Sequence, residues 1–253
     1  LSSSSAASDV YKRQPLMVLV INSFNASRFG GTWEGFTTHW YSDLFRNREV
    51  MEAFKRSLVI ALWSTPAATL LGTLAAVALH RFHSRLQKVH FLLVQLPLVL
   101  PVGLMGFSML LFFVAMGINL GLTSIWVAHV TFCLRFVTMV MLGRLQDFDF
   151  TLLDAARDLG ATRWQATTRI LLPLLWPGIL ASALLAFTVS LDDFVITFFV
   201  SGPGTTTLPV QIYSMMKTSR SLPIINALSS LLLFGTVITV ASIHWLTRPT
   251  RKL

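Results

Sequence analysis

A pair of adjacent carboxylates interrupts one of the longest apolar stretches of the sequence. Asp192 and Asp193 are the only charged residues within Leu174–Val200. A charge at the centre of a membrane-spanning helix costs about 2.5–3.5 kcal/mol on insertion scales, so such residues usually face a polar cavity or a partner. At least one acid could attract a cation that crosses the membrane, or both could cap or pair structurally, with Arg135 or Lys217 as partners. Neighbouring helical residues point about 100° apart, so the two acids cannot face one path equally, and neither is favoured.

Two further polar residues lie within the apolar stretch Leu122–Leu142. His129 is a candidate contact for a translocated solute, although a lone helical histidine is more often packed and hydrogen-bonded. Arg135 should need an acidic partner inside the protein. Because it would repel a cation, we expect it in a structural pair. No metal site is expected, because the histidines at the neighbouring helix ends have no acid or cysteine beside them. These histidines are His80, His83 and His90.

A polar segment at residues 150–173 reads FTLLDAARDLGATRWQATTRILLP and carries two helix-start patterns. Thr151 is followed three residues later by Asp154, and Thr162 is followed at the same distance by Gln165. Each pair has the spacing of a capping box. The segment is therefore predicted to contain two short helices.

A glycine separates these two predicted helices. Gly160 stands where a left-handed residue would end the first helix, and Pro173 is expected to mark the turn toward the membrane. Ala155 and Ala156 leave room for close approach of another surface. The residues alone leave two readings open, a docking surface or a helix that lies on the membrane or on its own bundle.

The composition places these residues in a membrane protein. The chain is 54% hydrophobic and only 12% charged, with 20 Lys and Arg, 11 Asp and Glu and a formal net charge of +9. This charged share is about half that of a soluble domain. The charges are confined to short segments between apolar stretches, which excludes a basic nucleic-acid binder. The single cysteine, Cys133, allows no disulfide within the chain.

Five apolar stretches are candidates to cross about 30 Å of hydrocarbon as helices. They are Leu58–Leu79, Phe91–Ile118, Leu122–Leu142, Leu174–Val200 and Ile225–Leu246. Pro97 and Pro101 predict a bend in the second stretch, and Pro66 and Gly72 are predicted kink or packing points in the first. Pro15–Ile21 is interpreted as the end of a truncated first span. The predicted fold class is an all-α, polytopic transmembrane bundle with five full spans plus that truncated one.

The expected domain organisation is a single transmembrane domain over residues 15–253. Residues 1–14, LSSSSAASDVYKRQ, have no apolar run and no periodicity, and they resemble a translated adaptor sequence. Lys and Arg are more numerous in segments 80–90, 143–173 and the C-terminal tail than in the alternating set of loops. The positive-inside rule therefore places those three segments in the cytoplasm.

The loop at residues 144–173, called the 144–173 loop below, resembles the EAA loop of ABC importer permeases. That family's pattern is Glu-Ala-Ala, then Gly, then Ile-x-Leu-Pro, and Asp154 in place of Glu is the one departure. In the family the short helix inserts into a cleft of a cytoplasmic ATPase subunit. The resemblance implies a fold of the type I importer permease kind. It assigns ATPase coupling to Asp154, Ala155, Ala156, Gly160, Ile170, Leu172 and Pro173.

Other short segments resemble the spermidine/putrescine branch of these permeases. Among them are residues 22–25, 36–41, 128–133, 190–193, 201–204 and 225–228. The resemblance implies an inner-membrane subunit that moves polyamines into the cytoplasm by alternating access, with Asp192, Asp193 and His129 as candidates for the substrate path. It also implies four kinds of partner: a second homologous permease, ATPase subunits, a periplasmic polyamine-binding protein and membrane lipid.

The chain carries no phosphate-binding motif of the form G-x-x-x-x-G-K-[ST], so ATP is expected to be used by a partner subunit. We expect no enzymatic activity and no cofactor in this chain. One alternative is an ABC permease for another small solute, such as an amino acid or a metal ion. Another is an ion-coupled secondary transporter or channel that works without ATP. A membrane enzyme would need clustered groups at one depth, and His129, Cys133 and Asp192 are scattered.

Overall fold

The computed structural model describes residues 14, 16–28, 32–81, 85–218 and 222–247. The adaptor-like segment 1–14, except Gln14, and the cationic tail after residue 247 lie outside the described residues. Within them the expected all-α fold is confirmed. They form no strand, and their one isolated β-bridge joins Asn25 to Phe36. The chain divides into two compact units.

The first unit comprises residues up to Arg56 together with Thr206–Val240. Its helices are α1 (residues 16–23), α2 (His39–Arg46), the start of α3 (Arg48–Arg81), α11 (Leu208–Thr218) and most of α12 (Leu222–Thr247). Leu44, Val50 and Leu228 belong to its apolar core. The buried Asn25 amide holds the loop before α2, because its Oδ1 accepts from the backbone N–H of Ser27 and of Glu34.

The second unit, Ser57–Thr205 with Ala241–Leu253, carries most of the candidate site residues. After α3 it contains α4 (Gln87–Val99), α5 (Val102–Ala115), α6 (Leu122–Gln146), α7 (Thr151–Asp158), α8 (Arg163–Ala166), a π-helical turn (Thr167–Leu171), α9 (Leu172–Asp192) and α10 (Val195–Val200). Helix α6 is central, since it packs on α9 and α10 and supplies twelve buried residues, including Ile125, Val137 and Met141.

Three helical segments of the described residues are long and apolar enough to cross a membrane. They are Arg48–Arg81, Leu122–Gln146 and Arg163–Asp192. The apolar helices Val102–Ala115 and Leu222–Ile238 are shorter. The three long segments contain or overlap three of the predicted spans, while the full number of spans remains a prediction.

Two predicted continuous helices are broken. Instead of one bent helix over Phe91–Ile118, α4 ends at Val99 and α5 begins at Val102, with Leu100 extended at φ −73°, ψ 135°. The ring of Pro101 disfavours a helical residue before it, so the chain breaks rather than bends. The stretch Leu174–Val200 also divides, because Asp193 is extended at φ −67°, ψ 120° between α9 and α10.

Gly72 is confirmed as a packing point between α3 and α6. A Cβ at this position would lie 2.7 Å from the Cβ of Val137 and 3.0 Å from the carbonyl oxygen of Leu134. The contact with Val137 is closer than real Cβ atoms show and the contact with Leu134 is tight, so a side chain at position 72 would require the two helices to shift apart.

Gly72→Ala is therefore expected to destabilise the protein by about 1–3 kcal/mol through overpacking. For a chain of this size each kcal/mol lowers the unfolding midpoint by about 2–4 °C. Tryptophan fluorescence of the protein in detergent measures that midpoint. Gly103→Ala in α5 is the matched control, because nothing lies within 4 Å of its added carbon. Equal midpoints for the two variants would contradict this packing.

Candidate functional site

Helix α7 of the 144–173 loop begins differently from its prediction. Thr151 is its first residue, and no side-chain hydrogen bond caps it, so the predicted capping box with Asp154 is wrong. Instead the backbone N–H of Thr151 donates to Oδ1 of Asp149 at 3.0 Å. The hydroxyl and the N–H of Thr151 lower the pKa of Asp149 by donating to its carboxylate. The helix start is therefore held by the acid that precedes it.

The end of α7 and the start of α8 match the sequence patterns. Gly160 adopts φ +90°, the left-handed conformation that ends α7. The second capping box is confirmed, since Thr162 Oγ1 accepts from the N–H of Gln165 at 3.2 Å and Gln165 Oε1 accepts from the N–H of Thr162 at 2.9 Å. These local bonds fix the angle between the two short helices.

The expected turn at Pro173 is wrong, because the helix continues through it from α8 into α9. A π-helical turn at Thr167–Leu171 precedes the proline, and the N–H of Leu172 donates to Thr167 O, five residues earlier. An extra residue in the turn is a common way to accommodate a disruption of the helical ladder. The last part of the loop, from α8 onward, and the apolar helix α9 consequently form one continuous helix, Arg163–Asp192.

The inner face of the loop is attached to α3. The ring of Phe150 stacks on His80 at 5.1 Å between centroids and lies 5.4 Å from the guanidinium carbon of Arg81. Arg81 and Arg157 also lie 3.9 and 3.7 Å from the same carboxylate oxygen of Asp154. A cavity of about 390 Å³ is lined by Phe150, Asp154 and the two arginines. Asp154 therefore contacts α3.

The outer face of the loop is apolar and exposed. Leu152 is 47%, Leu159 90% and Trp164 75% exposed. Ala155 is also exposed and Ala156 is half-buried. Of the three residues predicted to position the loop, Leu172 and Pro173 are exposed and Ile170 is half-buried in the π-helical turn. Exposed leucine and tryptophan on a capped, polar loop form a surface suited to docking.

The structure separates the two adjacent acids. Asp192 is the last residue of α9, and its side chain is exposed. Asp193 is 9% exposed and caps α10, because its Oδ2 accepts from the N–H of Thr197 at 2.8 Å and from its hydroxyl at 3.0 Å. Of the two, only Asp192 presents its carboxylate at the surface of the chain.

His129 lies beside Asp193 and not beside Asp192. Its ring is 2% exposed, with Nδ1 2.8 Å from Ser190 Oγ and Nε2 2.8 Å from Thr197 Oγ1. The same Nε2 is 3.4 Å from Oδ2 of Asp193. The hydroxyl of Ser190 in turn lies 2.9 Å from that of Ser64. Two of the three predicted path residues thus meet in a buried polar network.

Sequence reasoning missed the hydroxyl residues of this network, which are Ser64, Ser190 and Thr197. It searched the apolar stretches for charged and aromatic groups, whereas serine and threonine are ordinary in such helices. Their role depends on contacts between helices, for which the sequence carries no local signal.

Arg135 lacks the acidic partner that was expected. It is 5% exposed, and within the described part of the chain no carboxylate lies within 4.0 Å of its guanidinium. Its guanidinium carbon instead lies 4.2 Å from the ring centroid of Phe132 and 4.4 Å from that of Phe136. The negative faces of the two rings stabilise the cation. Among the described residues no three His, Cys, Asp or Glu side chains come together as a metal site would require.

These features define an α-helical membrane protein with an exposed helical loop joined to an apolar helix. Residues 68–252 match the family of binding-protein-dependent transport system inner membrane components, and the chain belongs to that family. It is therefore an inner-membrane transport protein.

Two relatives from Escherichia coli strain K12 cover almost the whole chain. The spermidine/putrescine transport system permease protein PotC is 41% identical over 238 residues, 94% of this chain and 90% of the relative. The putrescine transport system permease protein PotI is 44% identical over 238 residues, 91% of this chain and 84% of the relative.

Solved structures share the fold. A bacterial ABC transporter that imports alginate matches with a TM-score of 0.74 and 12% identity, over 96% of this chain and 94% of that one. An amino acid ABC transporter matches with a TM-score of 0.64 and 17% identity, over 84% and 99%. The chain therefore has the fold of ABC importer permeases.

Proposed function

We propose that this chain is the permease subunit of an ATP-driven importer that moves spermidine or putrescine into the cytoplasm. The observation that carries the substrate class is the 41–44% identity, over nearly the whole chain, to permeases named for those two polyamines. The exposed carboxylate of Asp192 at the end of an apolar helix supports it, because polyamines are polycations. We assign Asp192 to the substrate path.

The 144–173 loop is the proposed contact with a cytoplasmic ATPase subunit. Its exposed apolar face, with Leu159 and Trp164 on either side of Gly160, would enter a cleft of that subunit. The chain itself would bind no cofactor. The other proposed partners are a second homologous permease, a periplasmic polyamine-binding protein and membrane lipid.

The geometry provides a route for the motion. Closure of the ATPase subunits would displace α7 and α8, and the loop would pass this displacement to α3 through the Phe150 and Asp154 contacts. Helix α8 is also continuous with α9, whose 21 residues span roughly 30 Å at 1.5 Å per residue. Asp192 lies at the far end of this continuous helix, so a movement of the loop can change access to the Asp192 carboxylate. Alternating access would follow from this linkage.

Uptake into cells tests the substrate class. The chain is expressed with its partner subunits in cells without other polyamine uptake systems, and entry of labelled spermidine and putrescine is measured. An excess of unlabelled polyamine should compete, whereas amino acids and divalent metal ions should not. No polyamine uptake, together with ATP-dependent uptake of a labelled amino acid or metal ion by the same cells, would favour an ABC permease for that other solute.

A further inference from the structure

A continuous chain of hydrogen-bonding side chains crosses the apolar interior of the second unit. It joins four elements and comprises Ser64 of α3, His129 of α6, Ser190 of α9, Asp193 between α9 and α10, and Thr197 of α10. We call these five residues the serine–histidine latch. None is more than 9% exposed.

The hydrogen bonds of the latch can all run in one direction, from the hydroxyl of Ser64 to the carboxylate of Asp193. The Asp193 carboxylate only accepts, so the hydroxyl of Thr197 gives its hydrogen to Oδ2. Thr197 Oγ1 must then accept from the ring nitrogen 2.8 Å away, which places the hydrogen of His129 on Nε2. In a neutral ring Nδ1 accepts from Ser190. Ser190 in turn accepts from Ser64, so each of these donors makes a hydrogen bond within the latch.

The position of the latch connects it to the break between α9 and α10. Its last two members set the first turn of α10 and hold Asp193 in an extended conformation. On its other side α10 packs against α5, where a Cβ at Gly106 would lie 3.3 Å from the Cα of Ile196. The break directly follows Asp192, so its geometry decides where that carboxylate points.

We propose that the serine–histidine latch is a positioning device that holds the helix break and thereby presents Asp192 to the substrate path. His129 and Asp193 then act as positioning residues, because their polar atoms are occupied by one another and by the hydroxyls. This role rests on the proposed function of Asp192. Of the three candidates for the substrate path, it leaves Asp192 as the one that contacts the solute.

Thr197 offers a closely matched pair of variants. Thr197→Val keeps the shape and removes the hydroxyl, whereas Thr197→Ser keeps the hydroxyl. We expect Thr197→Val to reduce ATP-dependent polyamine uptake about tenfold, equivalent to about 1.4 kcal/mol, and Thr197→Ser to leave it near the unmodified level. In an Asp192→Asn background Thr197→Val should add little, because the latch acts through Asp192. An equal further loss in both backgrounds would overturn the proposal.

Cys133 gives a readout that does not depend on the solute. It is the single cysteine of the chain, it is fully buried, and its Sγ lies 3.5 Å from the carbonyl oxygen of Ala186 in α9. Cys133 also lies one helical turn after His129, so loosening the latch should expose its thiol by local opening. Mass spectrometry of the assembled transporter measures the rate of its modification by a maleimide.

We expect about tenfold faster modification of Cys133 in Thr197→Val, equivalent to about 1.4 kcal/mol, and no change in Thr197→Ser. Equal rates in all three proteins would contradict the latch. Suppose that Cys133 reacts faster in Thr197→Val but that the protein without substitutions takes up no polyamine. The serine–histidine latch would then stand, and only the proposed substrate would be rejected. If Thr197→Val fails to assemble, Ser190→Ala breaks the chain at another bond and serves the same comparison.

Discussion

Replacing Gly160 by aspartate is expected to reduce ATP-dependent uptake by more than tenfold while the transporter still assembles. Gly160 adopts φ +90°, where a residue with a Cβ costs about 1–2 kcal/mol. The added side chain also places a negative charge next to Leu159 and near Trp164, on the face proposed to enter the ATPase subunit. Uptake into vesicles and co-purification of the ATPase subunit are measured together.

Gly117→Asp is the matched control for backbone strain. Gly117 adopts φ +68° in the turn after α5, and, as at Gly160, nothing lies within 4 Å of an added Cβ. It carries the same type of strain and the same added charge outside the 144–173 loop. We expect Gly117→Asp to retain uptake. Similar losses in both variants would attribute the effect to strain and not to coupling.

Replacing Asp192 by asparagine is expected to lower polyamine uptake about 10- to 150-fold. Asparagine keeps the size and removes the charge, and a hydrogen bond to a charged group contributes about 1.5–3 kcal/mol. Since Asp192 is exposed at the end of α9, its replacement should leave the fold intact. Initial rates of labelled spermidine uptake measure the loss.

Asp192→Glu keeps the negative charge on a longer side chain and should retain most of the uptake that Asp192→Asn loses. ATP hydrolysis stimulated by the loaded binding protein should persist in Asp192→Asn, because the 144–173 loop is unchanged. Unaltered polyamine uptake in Asp192→Asn would remove this residue from the substrate path.

Local sequence signals predicted the middle of the 144–173 loop, where α7 ends and α8 begins, but neither the start of α7 nor the continuous helix at Pro173. Gly160 and the pair Thr162 and Gln165 act through bonds to their own neighbours, so their spacing alone indicates the conformation. The same spacing rule predicted a capping box at Thr151, in which Asp154 would accept from the N–H of Thr151. In the structure this N–H donates instead to Asp149, two residues earlier. Apolar length likewise predicted the helices that became α3 and α6.

Features that depend on contacts between helices could not be predicted. Nothing in the sequence distinguished Asp192 from Asp193. In the structure Asp193 is buried against Thr197 and His129, and Asp192 is exposed. For Arg135 the sequence predicted an acidic partner, although two phenylalanines on the same helix take that place. His129 reaches Asp193 from another helix, a contact that no local spacing specifies. The two phenylalanines lie three residues before and one residue after Arg135, so that contact was within the reach of the sequence.

Uptake of labelled spermidine into proteoliposomes tests the central claim most directly. The vesicles contain this chain assembled with its permease and ATPase partners. The loaded binding protein is added outside the vesicles, and either ATP or ADP is enclosed inside them. We expect spermidine to accumulate with ATP only, and this accumulation to be lost in Gly160→Asp. Equal uptake with ADP, or uptake driven by an ion gradient alone, would contradict an ATP-driven permease and favour an ion-coupled transporter.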